Sequence, residues 1–189
     1  MDGGSRVEQD DTITPDAGLT EDKLQAQLQV QEMYAELSIR AGAWPAAEMQ
    51  ARTVLSRKPD SVTALFCLGV ALAAQHNPDE AEPYLRRVVE LDPKHYDALY
   101  NLGQLYIDRE EYEKAAEQFR KALEMSPDNH PALYKTGVAL EKAGKREEAI
   151  AAYKEAVRTA PNPGQVFHYT GMDFEEKAKE ALERLGATG

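Results

Sequence analysis

Residues 96–129 read YDALYNLGQLYIDREEYEKAAEQFRKALEMSPDN, and this stretch contains the pattern that decides the fold. It is 34 residues long, and prolines recur along the chain at the same interval, at Pro59, Pro93, Pro127 and Pro161. When the chain is aligned on these prolines, apolar and small residues fall into common columns. A regular period of this length is typical of proteins that are built from stacked repeats.

Each unit contains two stripes of apolar residues with helical spacing. In the unit 62–95 the first stripe consists of Leu65, Leu68, Gly69 and Leu72, and the second consists of Ala81, Leu85 and Val88. Residues spaced by three and four positions follow one face of an α-helix. Each unit is therefore predicted to form two antiparallel helices joined by a short turn. One such hairpin buries too little surface to be stable alone, so the hairpins must stack.

Two columns of small residues indicate where the helices of a hairpin come closest. In the unit 96–129 these are Gly103 and Ala115. We expect a larger side chain at either position to push the two helices apart.

The start of the second helix in unit 62–95 has its own signature. Asn77 is the predicted N-cap, Pro78 the first helical residue, and Glu80 follows the cap by three positions. Pro83 lies six positions after the cap, where a proline removes a backbone hydrogen bond. We therefore expect a local bend or a 3₁₀ start at Pro83.

This pattern resembles the tetratricopeptide repeat family, whose signature is Leu-Gly, an aromatic residue, an alanine, a second aromatic residue and a closing proline. The fullest match is formed by Leu102, Gly103, Tyr106, Ala115, Phe119, Ala122 and Pro127. The resemblance covers roughly residues 28–161 and is weakest before Pro59. It implies an all-α, right-handed superhelix of stacked helix-turn-helix hairpins with a C-terminal capping helix.

The repeat register divides the chain into six predicted segments. They are a disordered acidic segment at 1–19, a degenerate first repeat with an extended first helix at 20–61, three further repeats at 62–95, 96–129 and 130–163, and a capping helix with a tail at 164–189. Thr20 is a predicted N-cap, and the first helix is expected to span about 21–41. For the C-terminal segment two alternatives stay open, namely one long helix over about 165–185 or a loop through 162–172 and a helix from Asp173.

Composition and charge exclude several kinds of function. The chain has 189 residues, with 22 Lys and Arg against 33 Asp and Glu, and a net charge of −11. No basic face is available for nucleic acid or for an anionic membrane surface. No apolar run has the length of a membrane span, and no secretory signal is recognisable at Met1–Asp11, so a cytoplasmic location is expected. The single Cys67 excludes an internal disulfide.

No group of residues predicts catalysis, a metal site or a cofactor. His95 and His130 lie at turns between units, and neither has a carboxylate or a cysteine at ligand spacing, so a solvated turn is the expected role. Cys67 has no nearby cation to lower the pKa of its thiol and is expected to be a small residue lining the groove. No glycine-rich phosphate loop is present.

The family resemblance implies that the first helix of each hairpin lines the concave wall of the superhelix. On these helices the face turned away from the packing stripe is the candidate partner-binding groove. Its residues are Thr63, Phe66, Cys67, Val70, Asp97, Tyr100, Asn101, Gln104, Ile107, Tyr134, Lys135 and Val138. The alternative for Phe66, Tyr100 and Tyr134, which share one column, is that their rings pack between adjacent units.

One specialised form of the family can be tested against the sequence. Repeat domains that hold the tails of heat-shock chaperones clamp a terminal carboxylate with Lys and Asn side chains on successive units. Asn101 lies in a matching column, but Phe66 and Val70 stand at the preceding Lys and Asn positions, and only Lys135 supplies a cation. Because a desolvated carboxylate needs more than one cation here, we expect no such clamp.

The predicted function is that of a non-catalytic protein–protein interaction module, an adaptor or assembly scaffold that binds a peptide segment of a partner protein in the groove. The alternative is a small acidic chaperone of the same repeat type that holds a hydrophobic client, such as a bacterial secretion substrate. The sequence leaves self-association to a homo-oligomer open.

Overall fold

The computed structural model describes residues 20–159 and 174–187. Within these two ranges every regular element is an α-helix, as predicted. The helices are α1 (Glu21–Arg40), α2 (Trp44–Leu55), α3 (Val62–Ala74), α4 (Pro78–Leu91), α5 (Tyr96–Asp108), α6 (Tyr112–Met125), α7 (His130–Lys142), α8 (Arg146–Arg158) and α9 (Phe174–Arg184). The acidic segment at 1–19 and the stretch 160–173, where the two C-terminal alternatives differ, lie outside the described residues.

The first eight helices form four hairpins that stack in chain order. In each hairpin the two helices pack together, and the second helix also packs on the first helix of the next hairpin. Helix α9 packs on α8 and α7 and so covers the end of the stack. No described helix is both long enough and apolar enough to cross a membrane.

The array curves with the first helices on its inner side. Successive first helices contact one another directly, in the pairs α1–α3, α3–α5 and α7–α9. The second helices make no comparable contacts with each other in the part of the chain that the structure describes. The first helices are therefore closer together, and the second helices lie on the wider, outer side.

The small residues lie where the helices of a hairpin approach most closely. A Cβ atom placed on Gly103 would lie 2.7 Å from Cε1 of Phe119 in the facing helix, and one on Gly137 would lie 2.6 Å from Cδ1 of Tyr153. Ala115 is completely buried. The prediction of close approach at these columns is confirmed.

Three first helices are capped by a column of residues that the sequence analysis did not identify. The side chains of Ser61, His95 and Asn129 accept hydrogen bonds from backbone N–H groups three residues later, at 3.1, 3.2 and 2.9 Å. These caps satisfy N–H groups that have no partner within the helix. The three residues are 34 positions apart and each follows a proline by two, so the period did contain the signal.

The start of α4 differs in part from its prediction. Asn77 is the N-cap residue and Pro78 begins the helix, but the Asn77 side chain makes no capping hydrogen bond. The turn is instead closed by the backbone, because His76 adopts a left-handed conformation with φ of 62° and the N–H of Asn77 donates to the carbonyl of Leu72.

The predicted 3₁₀ start at Pro83 is wrong. Helix α4 is α-helical from Pro78 to Leu91, with Pro83 in its interior. Pro83 lacks the N–H that would donate to the carbonyl of Asp79. Both residues are exposed, so water can bond this carbonyl without a change in the helix type.

Polar contacts between hairpins accompany the apolar core. The carboxylate of Glu82 in α4 accepts a hydrogen bond from the hydroxyl of Tyr106 at 2.8 Å and pairs with Arg109, which also pairs with Asp79. Burial opposes the charge on Glu82, but the bonds from Tyr106 and Arg109 outweigh it and lower the pKa of this carboxyl group. The second and third hairpins are thus joined by a charged network.

Candidate functional site

The candidate groove residues lie on three first helices of the array. Thr63, Phe66, Cys67 and Val70 belong to α3, Asp97 to Ile107 belong to α5, and Tyr134, Lys135 and Val138 belong to α7. We call the surface that they form, without Cys67, the inner face. Except for the exposed Asp97, its residues are half-buried.

Cys67 does not line the groove, contrary to expectation. Its side chain is 1% exposed and belongs to the main core cluster. Burial raises the pKa of the thiol to about 12, and the nearby carboxylates Glu36 and Glu32 of α1 add to this shift. The turn of α3 carries position 67 away from the open surface and toward α1. Because the thiol is buried there, it remains protonated and acts as a small apolar core residue.

The aromatic rings of the inner face contact other rings of the array. The ring of Tyr100 meets that of Phe119 edge-on, with centroids 5.4 Å apart. Tyr134 lies 5.8 Å from Tyr153 and 5.7 Å from Phe174. Phe66 packs on the ring of His95 in the next hairpin. Phe66 and Tyr134 thus contact rings beyond their own hairpins, whereas Tyr100 contacts a ring of its own hairpin. All three rings form the floor of the inner face.

Two amides on α5 are held in place with part of their bonding capacity unused. The Nδ2 group of Asn101 donates to the carbonyl of Asp97 at 2.7 Å, and the Nε2 group of Gln104 donates to Asp108 at 3.1 Å. The side-chain oxygens of both amides accept no hydrogen bond from the described residues. Each amide is therefore oriented by its own helix and offers a free acceptor.

Lys135 supplies a cation on α7, and its charge interacts with Asp108, the residue that accepts from Gln104. Its ammonium group forms no ion pair within 4.0 Å with any residue of the described ranges, although the side chain is half-buried. Burial lowers the pKa of Lys135, Asp108 opposes this effect, and Lys177 of α9 reinforces it. A partly desolvated ammonium without a bonded carboxylate is well placed to donate to an acceptor that a ligand brings.

The sequence analysis did not identify Lys177, whose charge helps to lower the pKa of Lys135. Lys177 lies on α9, whose start was not fixed by the pattern, because a long helix over about 165–185 and a helix from Asp173 both stayed open. The histidines also differ from expectation, since His95 caps α5 and packs on Phe66 instead of facing solvent at a turn. Within the described ranges no three His, Cys, Asp or Glu residues are grouped to hold a metal ion.

Solved structures of the protein MamA share this arrangement of helices. MamA from Desulfovibrio magneticus RS-1, from its residue 41 to the end, has a TM-score of 0.66 and 19% sequence identity, over 84% of this chain and 93% of that chain. MamA AMB-1 has a TM-score of 0.67 and 25% identity, over 85% of this chain and 98% of that chain. This likeness establishes the fold.

Comparisons of sequence give two further results. No curated protein matches the chain. A family model described as tetratricopeptide repeat matches three overlapping stretches, residues 35–95, 69–130 and 100–163. Together these stretches cover more than half of the chain.

Proposed function

Because the chain belongs to the tetratricopeptide repeat family, whose arrays act as protein-interaction scaffolds, we propose that it is a non-catalytic adaptor that binds an extended peptide segment of a partner protein on its inner face. The observation that carries this proposal is the bonding state of Asn101 and Gln104 on α5 and of Lys135 on α7. Among the described residues the two amide oxygens have no donor and the Lys135 ammonium has no ion-pair partner, on a surface floored by aromatic rings.

The spacing of the two amides suits a peptide backbone. Residues three apart on a helix have side chains roughly 5–6 Å from each other. An extended peptide presents the N–H groups of one edge about every second residue, which is a repeat of roughly 6.6 Å. Asn101 and Gln104 can therefore accept from two such N–H groups of one bound strand.

Charge indicates the chemistry and the direction of the peptide. Asp97 is exposed at the start of α5, whereas Lys135 lies on the next hairpin. A peptide that carries a basic residue near Asp97 and an acidic residue near Lys135 is complementary to both. The proposed site differs from the carboxylate clamp of the repeat domains that hold heat-shock chaperone tails. That clamp needs more than one cation, whereas the proposed site uses Lys135 alone.

The location of exposed apolar residues favours an adaptor over a chaperone. Among residues 20–159 and 174–187, the exposed large apolar side chains are Val30, Met33, Tyr34, Leu37, Met49 and Leu91, and none of these six belongs to the inner face. A groove that held hydrophobic clients would be expected to expose such residues. Protection of an aggregating client protein by the purified chain would reverse this preference.

The test compares one variant with a matched control. The triple variant Asn101→Ala, Gln104→Ala and Lys135→Ala removes the proposed contacts and leaves Tyr100 and Tyr134 in their packing positions. The control, Gln118→Ala with Lys121→Ala, removes an amide and an ammonium from α6 on the outer side.

A partner is first captured by affinity purification with the wild-type chain, and its binding segment is then titrated by calorimetry against all three proteins. We expect the triple variant to bind at least about tenfold more weakly, which is about 1.4 kcal/mol, and the control to bind like the wild type. Equal affinity of the triple variant and the wild type, with unchanged helical circular dichroism, would remove the inner face from consideration.

A further inference from the structure

The first helix has two apolar faces, and only one of them is covered. Leu28 and Ala35 are buried against the following helices. On the opposite side lie Val30, Met33, Tyr34 and Leu37, which are 43%, 56%, 49% and 59% exposed. These four residues have the spacing i, i+3, i+4 and i+7, so they form one continuous ridge along α1. We call this ridge the outer stripe.

The repeat register shows what normally covers these positions. Advanced by one period of 34 residues, the outer stripe corresponds on α3 to Ala64, Cys67, Leu68 and Ala71. All four are at most 1% exposed, and α3 packs on the second helix of the preceding hairpin, α2. Helix α1 presents the same face with larger apolar residues, and no described helix precedes it. Because a helix covers the equivalent face of α3, a helix is the element that we expect to pack on the outer stripe.

The opposite end of the array is closed in a different way. On α9 every exposed residue is charged, and these residues are Glu176, Lys177, Lys179, Glu180, Glu183 and Arg184. A charged outer face is how a stacked-repeat array ends without adding further units. The described part of α9 therefore has no exposed apolar residue to offer to the outer stripe of a second copy, and open head-to-tail stacking through α9 is disfavoured.

Charge permits two copies to meet at α1. The chain carries a net charge of −11, so most of its surface repels a second copy. Between Gln25 and Tyr34, however, every exposed residue of α1 is uncharged. The four stripe residues are thus apolar, and within their span the exposed charge is limited to Glu36, so most of the stripe suits an identical surface.

We propose that the outer stripe is a homodimer interface in which α1 of one copy packs on α1 of a second copy across a two-fold axis. An isologous contact closes with two copies, which agrees with the charged cap at the other end. A stable interface needs roughly 600 Å² from each partner. The four stripe residues expose on the order of a few hundred Å² before their uncharged neighbours are counted, so we expect a dimer of micromolar affinity.

Sedimentation equilibrium of the full chain at about 1–100 µM tests the proposal. We expect a reversible monomer–dimer equilibrium for the wild type. The variant Met33→Lys with Leu37→Lys should dimerise at least about tenfold more weakly and keep its helical circular dichroism, because both side chains are exposed. Met49→Lys on α2, which alters a methionine that is 60% exposed outside the stripe, is the matched control and should dimerise like the wild type.

Cysteine cross-linking tests the two-fold geometry. Tyr34→Cys places a thiol at the centre of the stripe, where an added mild oxidant should convert it and the same residue of the second copy to a disulfide, whereas Glu180→Cys on α9 should not cross-link under the same oxidant. A monomeric wild type over the whole concentration range, including one whose own residues 1–19 cover the stripe, would overturn the proposal. So would an unchanged dimer in the double lysine variant, or growth beyond two copies.

Discussion

At the scale of single residues, the contact between Gly103 and Phe119 sets how closely α5 and α6 pack. A Cβ atom on Gly103 would lie 2.7–2.9 Å from three atoms of a ring that is completely buried. We expect Gly103→Ala to destabilise the protein by about 1–3 kcal/mol, because strain from overpacking exceeds the gain of about 1 kcal/mol in helix propensity. Urea unfolding followed by circular dichroism measures the change.

The control for this prediction is the same substitution in a Phe119→Leu background. The shorter side chain removes the ring atoms that the new methyl group would meet, so Gly103→Ala should then cost less than in the wild type. Equal costs in both backgrounds would show that the ring does not set the helix spacing.

Glu82 provides a prediction of pH dependence. Its pKa is lower in the folded chain than its usual value, because the bonds from Tyr106 and Arg109 outweigh the effect of burial. The unfolded chain therefore binds more protons, and the stabilisation by this carboxylate is present at neutral pH and is lost as the pH falls through its folded pKa. We expect Glu82→Gln to cost about 1–2 kcal/mol at pH 7.

The difference in unfolding free energy between Glu82→Gln and the wild type should shrink as the pH is lowered below about 4.5. Glu124→Gln, at an exposed position on α6, is the matched control and should change little at any pH. A cost of Glu82→Gln that stays constant from pH 7 to the acid limit of folding would contradict the assignment.

Single residues also show where sequence reasoning stops. The small-residue columns were predictable because contact within a hairpin depends on helical spacing alone. Whether Cys67 faces the groove or the neighbouring helix depends on how α3 is rotated between α1 and α5, since each residue turns the helix by about 100°. The prediction failed at this position because Cys67 lies at the boundary between two faces.

At the scale of elements, Pro83 is a local defect in an otherwise regular helix. Pro83→Ala supplies the missing N–H for the carbonyl of Asp79, and the exposed side chain makes the change sterically simple. We expect stabilisation by about 1–3 kcal/mol, because proline is about 3 kcal/mol less favourable than alanine inside a helix. Thermal unfolding should show a transition midpoint higher by several degrees.

Pro78→Ala in the same helix is the comparison for this prediction. Pro78 is the first helical residue, where no backbone bond is lost, so its replacement should be neutral or slightly destabilising. If Pro83→Ala failed to raise the midpoint, the water-bonded carbonyl of Asp79 would already be as stable as a helical hydrogen bond.

The positions of the helices could largely be predicted from the sequence. The residues that cap the helices and the hydrogen bonds on the inner face were harder to predict. The first helix spans Glu21–Arg40 against an expected 21–41, since its extent follows from apolar periodicity, although the side chain of the N-cap residue Thr20 makes no capping hydrogen bond. The bonding of Asn101, Gln104 and Lys135 could not be derived, because it depends on side-chain conformations and on Lys177 from a helix whose start the sequence left open. The fold is therefore established, and the assignment of these residues to a binding site is a proposal.

At the scale of the whole molecule, each hairpin packs on the hairpins next to it in the stack. The loss of stability caused by a substitution at one end should therefore decrease along the array. Phe174 of α9 is buried and packs on Tyr134, while α9 contacts only α7 and α8 appreciably. Phe174→Ala should cost about 3–5 kcal/mol locally and release the capping helix. In a linear array of this kind, stability is approximately a sum of units and of the interfaces between them.

Hydrogen exchange followed by mass spectrometry can resolve this gradient. In Phe174→Ala we expect faster exchange in α7 and α8, a smaller change in α5 and α6, and none in α1–α3, because local opening then reaches the last hairpin without crossing the middle of the array. Glu183→Ala, on the charged side of α9, should leave the pattern unchanged. A uniform increase in exchange across all hairpins would instead show that the four hairpins unfold as one cooperative unit, and the array would have to be treated as a single core.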